Sequence, residues 1–122
     1  MVHHKKTLVL GASANPSRYS YLAIKSLRFK GHPVEAIGLK DAVVEGVQIH
    51  KEKQAFEDID TVTLYLSAER QKEYYGYILS LKPKRIIFNP GAENDELYDL
   101  AQANQIYPQE ACTLVMLSTG QY

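Results

Sequence analysis

The residues best placed to do chemistry gather at one turn: Gly11-Ala12-Ser13, then Asn15-Pro16, Arg18 and Ser20, directly after the apolar run Thr7-Leu8-Val9-Leu10. A glycine just after a strand lets the backbone approach a bound phosphate, and the following helix offers free amides with partial positive charge. Arg18 can add a charge-assisted pair to the same anion. The spacing is not the G-x-G-x-x-G dinucleotide fingerprint, because the second and third glycines are missing, and no Gly-Lys-Ser/Thr makes a Walker loop. Gly11 also has a purely conformational explanation at a strand-to-helix turn, and Ser20 can serve simply as a helix cap.

Three more turns carry polar residues after an apolar run. Val34 to Ile37 is followed by Gly38-Leu39-Lys40, about where an NAD-binding domain places an acid on the ribose diol. Lysine there favours a ligand with an extra phosphate on its ribose, such as coenzyme A or NADP; the adjacent Asp41 weakens the contrast, and a solvated surface lysine is the plain alternative. Thr61 to Leu66 ends at Ser67, which can cap a helix while its backbone faces a crevice. Arg85 to Phe88 runs into Asn89-Pro90-Gly91-Ala92-Glu93-Asn94, where Gly91 permits close approach and Asn89 or Asn94 can bond a ligand amide or hydroxyl. A tight turn with an N-cap accounts for Asn94 but not for the whole run.

The elements that must position these turns follow from the pattern between them. A helix carries Ala23, Ile24 and Leu27 and stops at Gly31, with Pro33 close behind. A second helix over residues 69–81 is capped by Ser67, places Tyr74, Tyr75, Ile78 and Leu79 at helical spacing, and ends before Pro83; Gly76 inside it suggests a close packing contact. A third starts at Asn94 with Asp95 and Glu96 and buries Leu97, Leu100 and Ala101. A short fifth strand falls near Ile106 and Tyr107, cut by Pro108, and the stretch from Cys112 to Leu117 reads as either a buried strand or a short helix. Strands alternating with helices predict a parallel sheet covered on both faces. The expected fold is one Rossmann-like three-layer α/β domain over residues 1–122, with a parallel five-stranded sheet of order 3-2-1-4-5. Ligand crevices in such sheets lie at the carboxyl ends of the strands, where the four turns fall.

Composition narrows the partners. Fourteen Lys+Arg balance fourteen Asp+Glu, so no global field draws polyanions and a dedicated nucleic-acid binder is not expected. A single cysteine forms no internal disulfide and fits a reducing cytoplasm. The N-terminal His3-His4-Lys5-Lys6 before Leu8-Val9-Leu10 imitates a signal peptide, but that apolar run is far short of the roughly seven to fifteen residues such a segment needs. No stretch reaches the roughly eighteen apolar residues of a membrane span, and a soluble cytoplasmic protein is expected.

Catalytic candidates are thin. His3, His4, His32 and His50 are scattered, with no His-x-x-x-His or Glu-x-x-His spacing to hold a metal. Cys112, flanked by Ala111 and the apolar Leu114-Val115-Met116-Leu117, reads as an inert buried thiol. Glu93 is the one carboxylate placed at the crevice, without a visible partner, and Asp58 and Asp60 read as loop-solvating. Tyr19 and Tyr21 flank Arg18 and can cover an adenine; Tyr74 and Tyr75 fit a core stripe; Tyr77 reads as a partly exposed ring or a subunit contact.

Gly11-Ala12-Ser13, Pro16, Arg18 and Ser20 resemble the phosphate loop of the small stand-alone CoA-binding domain proteins, relatives of the CoA-binding domain of the succinyl-CoA synthetase alpha subunit and of ADP-forming acyl-CoA synthetases. The resemblance covers essentially the full chain. Lys40 matches the lysine of the family's Asn-Pro-Lys-like turn, Gly46-Val47-Gln48-Ile49 its following stretch, Asn89-Pro90-Gly91 and Asn94 its fourth loop, and Cys112 a frequent cysteine near the last strand. Gly38-Leu39 and Leu66-Ser67 depart from the family pattern, the first lacking Asn-Pro before the lysine and the second a proline. The resemblance implies coenzyme A or an acyl-CoA held across the carboxyl edge, phosphates near Gly11 to Ser13, Arg18 and Lys40, and pantetheine near the Asn89 loop. It implies binding without catalysis, since the synthetases take their phosphorylated histidine from a separate domain. The competing readings are an NAD(P)-binding oxidoreductase-like enzyme, or an interaction subunit complementing separate synthetase domains; homo-oligomers are compatible with any of these.

Overall fold

The computed structural model describes residues 3–122. Its chain runs β1 (Thr7–Ala12), α1 (Tyr19–Phe29), β2 (Val34–Gly38), β3 (Ala42–Val44), β4 (Val47–His50), β5 (Thr61–Leu64), α2 (Ala68–Gln71), a 3-10 turn (Lys72–Tyr74), α3 (Tyr75–Leu81), β6 (Arg85–Phe88), α4 (Asp95–Ala103), β7 (Tyr107–Glu110) and α5 (Thr113–Ser118). The β-branched and leucine runs of β1, β5 and β6 are buried on both faces, as strands in a covered parallel sheet must be. Alternation divides their side chains between two cores. Leu8, Leu10, Ile37, Val62, Leu64, Ile86 and Phe88 face Ile78 of α3 and Leu97 and Ala101 of α4. Val9, Ala36, Val47 and Ile49 face Ile24 and Leu27 of α1 and Leu117 of α5. The result is the expected three-layer, Rossmann-like α/β domain.

Its strand count and order differ from the expectation. The sheet has seven strands in the order β3-β4-β2-β1-β5-β6-β7. Every pairing is parallel except that of β3 with β4. The strand beside β2 is therefore β4, not Thr61–Leu64, which pairs with β1. The missed β3-β4 hairpin turns at Glu45-Gly46, both with positive φ (51° and 75°), as a two-residue type I′ connection requires. β7 runs through Pro108 because it is an edge strand, where a missing N–H costs no ladder bond on the open side. The stretch after Cys112 is a helix, with Cys112 at its N-cap position.

The expected helix over residues 69–81 is interrupted. Gln71 is fully buried, its Nε2 donating to the backbone carbonyls of Leu66 and Ala92 at 2.8 Å each. That anchor fixes the first turn, α2, against the tops of β5 and β6, and the 3-10 turn redirects the chain so that Ile78 reaches the core. Gly76 makes no close packing contact: a Cβ there would meet nothing within 4 Å.

Candidate functional site

A crevice of about 820 Å³ opens at the carboxyl edge of the sheet, lined by the ends of β1, β2, β5 and β6. This is where the chain leaves β1 toward β2 on one side and β5 begins the other half, the switch point at which open parallel sheets take ligands. Gly11, Ala12, Ser13, Arg18, Ser20, Lys40, Leu66, Ser67, Pro90 and Gly91 all line it. Pro16, Asn89 and Asn94 do not.

The β1 loop is held by its own side chains. Ser13 Oγ accepts from the Asn15 amide at 3.0 Å, Asn15 Oδ1 accepts from the Ser17 amide at 3.0 Å and the Ser17 hydroxyl at 2.8 Å, and the Asn15 carbonyl accepts from the Arg18 amide at 3.0 Å. Pro16 thus occupies the second position of a β-turn, where its fixed φ is favoured, and acts on the loop rather than on the crevice. Gly11 has φ +96°, and a Cβ on it would lie 2.9 Å from the Tyr65 carbonyl carbon. Its need for glycine comes from packing against the β5 exit as well as from the turn. Arg18 takes the N-cap position of α1 without a side-chain cap bond; Ser20 lies inside the first turn and is not the cap. Among the described residues the amides of Tyr19 and Ser20 have no backbone acceptor, while those of Tyr21 and Leu22 bond the Arg18 carbonyl.

Charge in the crevice is mostly positive and uncompensated. Arg18, Lys40 and Arg70 line it, and among the described residues none makes an ion pair; the three pairs present are Lys6–Glu35, Lys25–Glu45 and Lys72–Glu69. The lining carboxylate, Asp41, accepts the Lys51 amide at 3.1 Å.

The two asparagines, expected as ligand contacts, spend their side chains on bonds inside the protein. Asn89 is 2% exposed; its Nδ2 donates to Thr63 Oγ1 at 2.7 Å and to the Leu64 carbonyl at 2.9 Å, and its Oδ1 accepts the Thr113 amide at 2.9 Å. Asn94 caps α4 through the amides of Glu96 and Leu97, and its Nδ2 donates to Gln71 Oε1 at 2.9 Å and to the Tyr75 hydroxyl at 2.8 Å. Every hydrogen-bonding group of both side chains is used inside the protein. Glu93 accepts the Gly91 amide at 2.9 Å and tightens that turn. Cys112 is half-buried rather than buried and does not line the crevice. It stands near Tyr65, whose hydroxyl has no hydrogen-bond partner among the described residues; burial first, then the proximity of Cys112, raises the Tyr65 pKa. Tyr21 packs on the α1-side core with Lys25 over its ring, while Tyr19 stays at the crevice. Tyr77 is half-buried and donates its hydroxyl to the Gln54 carbonyl.

Sequence reasoning missed Arg70, Gln71 and Tyr74. For Arg70 the signal was available: Ser67 is a cap at the crevice and Arg70 follows in the turn it caps; Tyr74, further on, lines the crevice too, and the buried Gln71 only anchors that turn. Among the described residues no group of three or more His, Cys, Asp or Glu is arranged to hold a metal, and no helix is long and apolar enough to cross a membrane.

The fold is a Rossmann-like α/β domain whose mostly parallel sheet opens, at its switch point, into a crevice lined by Arg18, Lys40 and Arg70. The chain belongs to the CoA binding domain family, whose model matches residues 5–118. CoA-related binding is the property that family carries. The solved structure of an uncharacterized protein is 49% identical over 99% of this chain and 100% of its own, with a TM-score of 0.96. A hypothetical protein from Pyrococcus horikoshii OT3 shares the fold at 21% identity, covering 95% of this chain and 83% of its own, with a TM-score of 0.86. A Thermus thermophilus protein does so at 18% identity, 98% and 91% coverage, and a TM-score of 0.81. A comparison with curated proteins gave no match.

Proposed function

We propose that the crevice binds coenzyme A or an acyl-CoA and does not turn it over. The observation that carries this reading is the set of unpaired cations and open first-turn amides around a single crevice in a chain of the CoA binding domain family. The Gly11–Ser13 turn, the amides at the head of α1 and Arg18 form the phosphate seat. Lys40 takes the ribose phosphate, the backbone at Leu66 and Ser67 flanks the nucleotide, and Pro90 and Gly91 border the pantetheine arm. Asn89 and Asn94 serve this site by holding its walls. Nothing at the crevice is arranged as nucleophile and base, with Glu93 tied to its own turn and Cys112 outside the lining. Calorimetric titration with CoA tests the reading. The expected result is binding that falls by roughly 10- to 100-fold in Arg18→Ala and in Lys40→Ala, the range of one charge-assisted hydrogen bond. Absence of binding at about millimolar CoA or acyl-CoA rejects it, and preference for NADPH transfers the crevice to the oxidoreductase reading.

A further inference from the structure

We propose that Arg70 is the second jaw of a phosphate clamp, gripping together with Arg18 the pyrophosphate of the crevice ligand; this rests on the CoA reading above. The two arginines reach the crevice from opposite faces of the sheet. Arg18 heads α1, which packs on the Val9–Ala36 side, whereas α2 leads into α3, which packs on the Leu8–Leu10 side. Both line the same crevice, together with the Gly11 turn.

The surroundings of Arg70 leave its charge for a ligand. Glu69, its neighbour on α2, pairs with Lys72 at 3.1 Å, and Glu93 is bonded to the Gly91 amide. Among the described residues no carboxylate lies within ion-pair distance of Arg70, and no hydrogen bond occupies its guanidinium. Its backbone, by contrast, is fixed: the Arg70 amide donates to Ser67 Oγ at 3.4 Å, and the next residue, Gln71, is bonded to the carbonyls of Leu66 and Ala92. A free guanidinium on an anchored turn is pre-organised for bidentate recognition of phosphate.

A pyrophosphate carries two charges and exposes oxygens on both sides. The amides and Arg18 on one wall satisfy one side only, and the cation on the facing wall completes the shell. Lys40, at the end of β2, addresses the separate ribose phosphate. The three cations therefore separate by ligand. Titrations of wild type, Arg18→Ala, Lys40→Ala, Arg70→Ala and Arg70→Lys with CoA and with 3′-dephospho-CoA read this out. Arg70 is exposed in the first turn of a helix, where alanine is well tolerated, so the variant folds. Arg70→Ala is expected to weaken both ligands alike, by roughly 10-fold or more, with Arg70→Lys recovering part of the loss. Lys40→Ala is expected to weaken CoA alone. Arg70→Ala binding both ligands as wild type does, while Arg18→Ala is impaired, overturns the clamp; so does a loss confined to CoA, which moves Arg70 to the ribose phosphate. Failure of the wild type to bind either ligand sinks the CoA reading itself, a separate outcome.

Discussion

His32 illustrates how much one side chain far from the crevice governs. It is 7% exposed, and its Nδ1 accepts the Lys5 amide at 2.9 Å, which ties the segment before β1 to the turn after α1. Accepting that bond requires a neutral ring with the proton on Nε2. Burial first, then the nearby charges of His4, Lys5 and Arg85, lower its pKa below the ordinary 6.5. The unfolded chain therefore binds a proton at His32 before the folded one does, and stability must fall as pH drops below about 6.5 toward the folded value, levelling off beneath it. Denaturant unfolding at pH 7.5 and at 5.5 should show lower stability at the acid value, and His32→Asn, whose Oδ1 can accept the same amide, should reduce that difference. An unchanged pH dependence in the variant would assign it to other groups.

Two glycines show that the same residue type does opposite things in different elements. Gly76 in α3 is exposed, and a Cβ there would touch nothing within 4 Å, so Gly76→Ala should stabilise by about 0.5–1 kcal/mol through helix propensity alone. Gly38 ends β2 against β1, where a Cβ would lie 2.2 Å from the Ala12 carbonyl oxygen; Gly38→Ala must push two paired strands apart at the crevice floor. Thermal melts should rise for the first variant and fall for the second, with CoA binding lost only in the second. Both differences were invisible in the sequence, where Gly76 suggested a packing contact and Gly38 a strand end. What was legible followed from local signals: apolar runs gave β1, β2, β5 and β6, and Ser67 and Asn94 gave caps confirmed at α2 and α4. The β3-β4 hairpin was not, because Glu45-Gly46 lacks the Asn-Gly or Asp-Gly signature and each strand is only three or four residues long. The break at Lys72–Tyr74 was not either, since it answers to Gln71 reaching Ala92, twenty-one residues away. Likewise Asn89 and Asn94 offered polar atoms in a turn, and only the tertiary bonds to Thr63, Thr113, Gln71 and Tyr75 consume them.

For the whole molecule, a formal net charge of zero coexists with a crevice that, among the described residues, presents three unpaired cations and one carboxylate, so attraction for an anion is local. The crevice is also the place where the two hydrophobic layers meet: the β1 and β2 turns lead from strands packed on both sides, α1 belongs to one core, and Tyr74, in the turn after α2, packs against the other. A ligand lying across it fastens elements that otherwise share only the sheet. Binding to the folded state alone stabilises by mass action, about 2.7 kcal/mol at a hundredfold excess over Kd, which for a domain of this size raises the melting temperature on the order of 10 °C. CoA should therefore raise Tm with its concentration, and added salt should weaken the effect because the contacts are ionic. Amide hydrogen exchange should slow in residues 38–42 and 66–74 together, since these flank the crevice from both sides. AMP, which lacks the pyrophosphate and the arm, should give a smaller rise at equal concentration. Equal shifts with AMP and CoA, or protection confined to residues 38–42, would mean that the ligand engages one side of the crevice and leaves the α2 wall untouched.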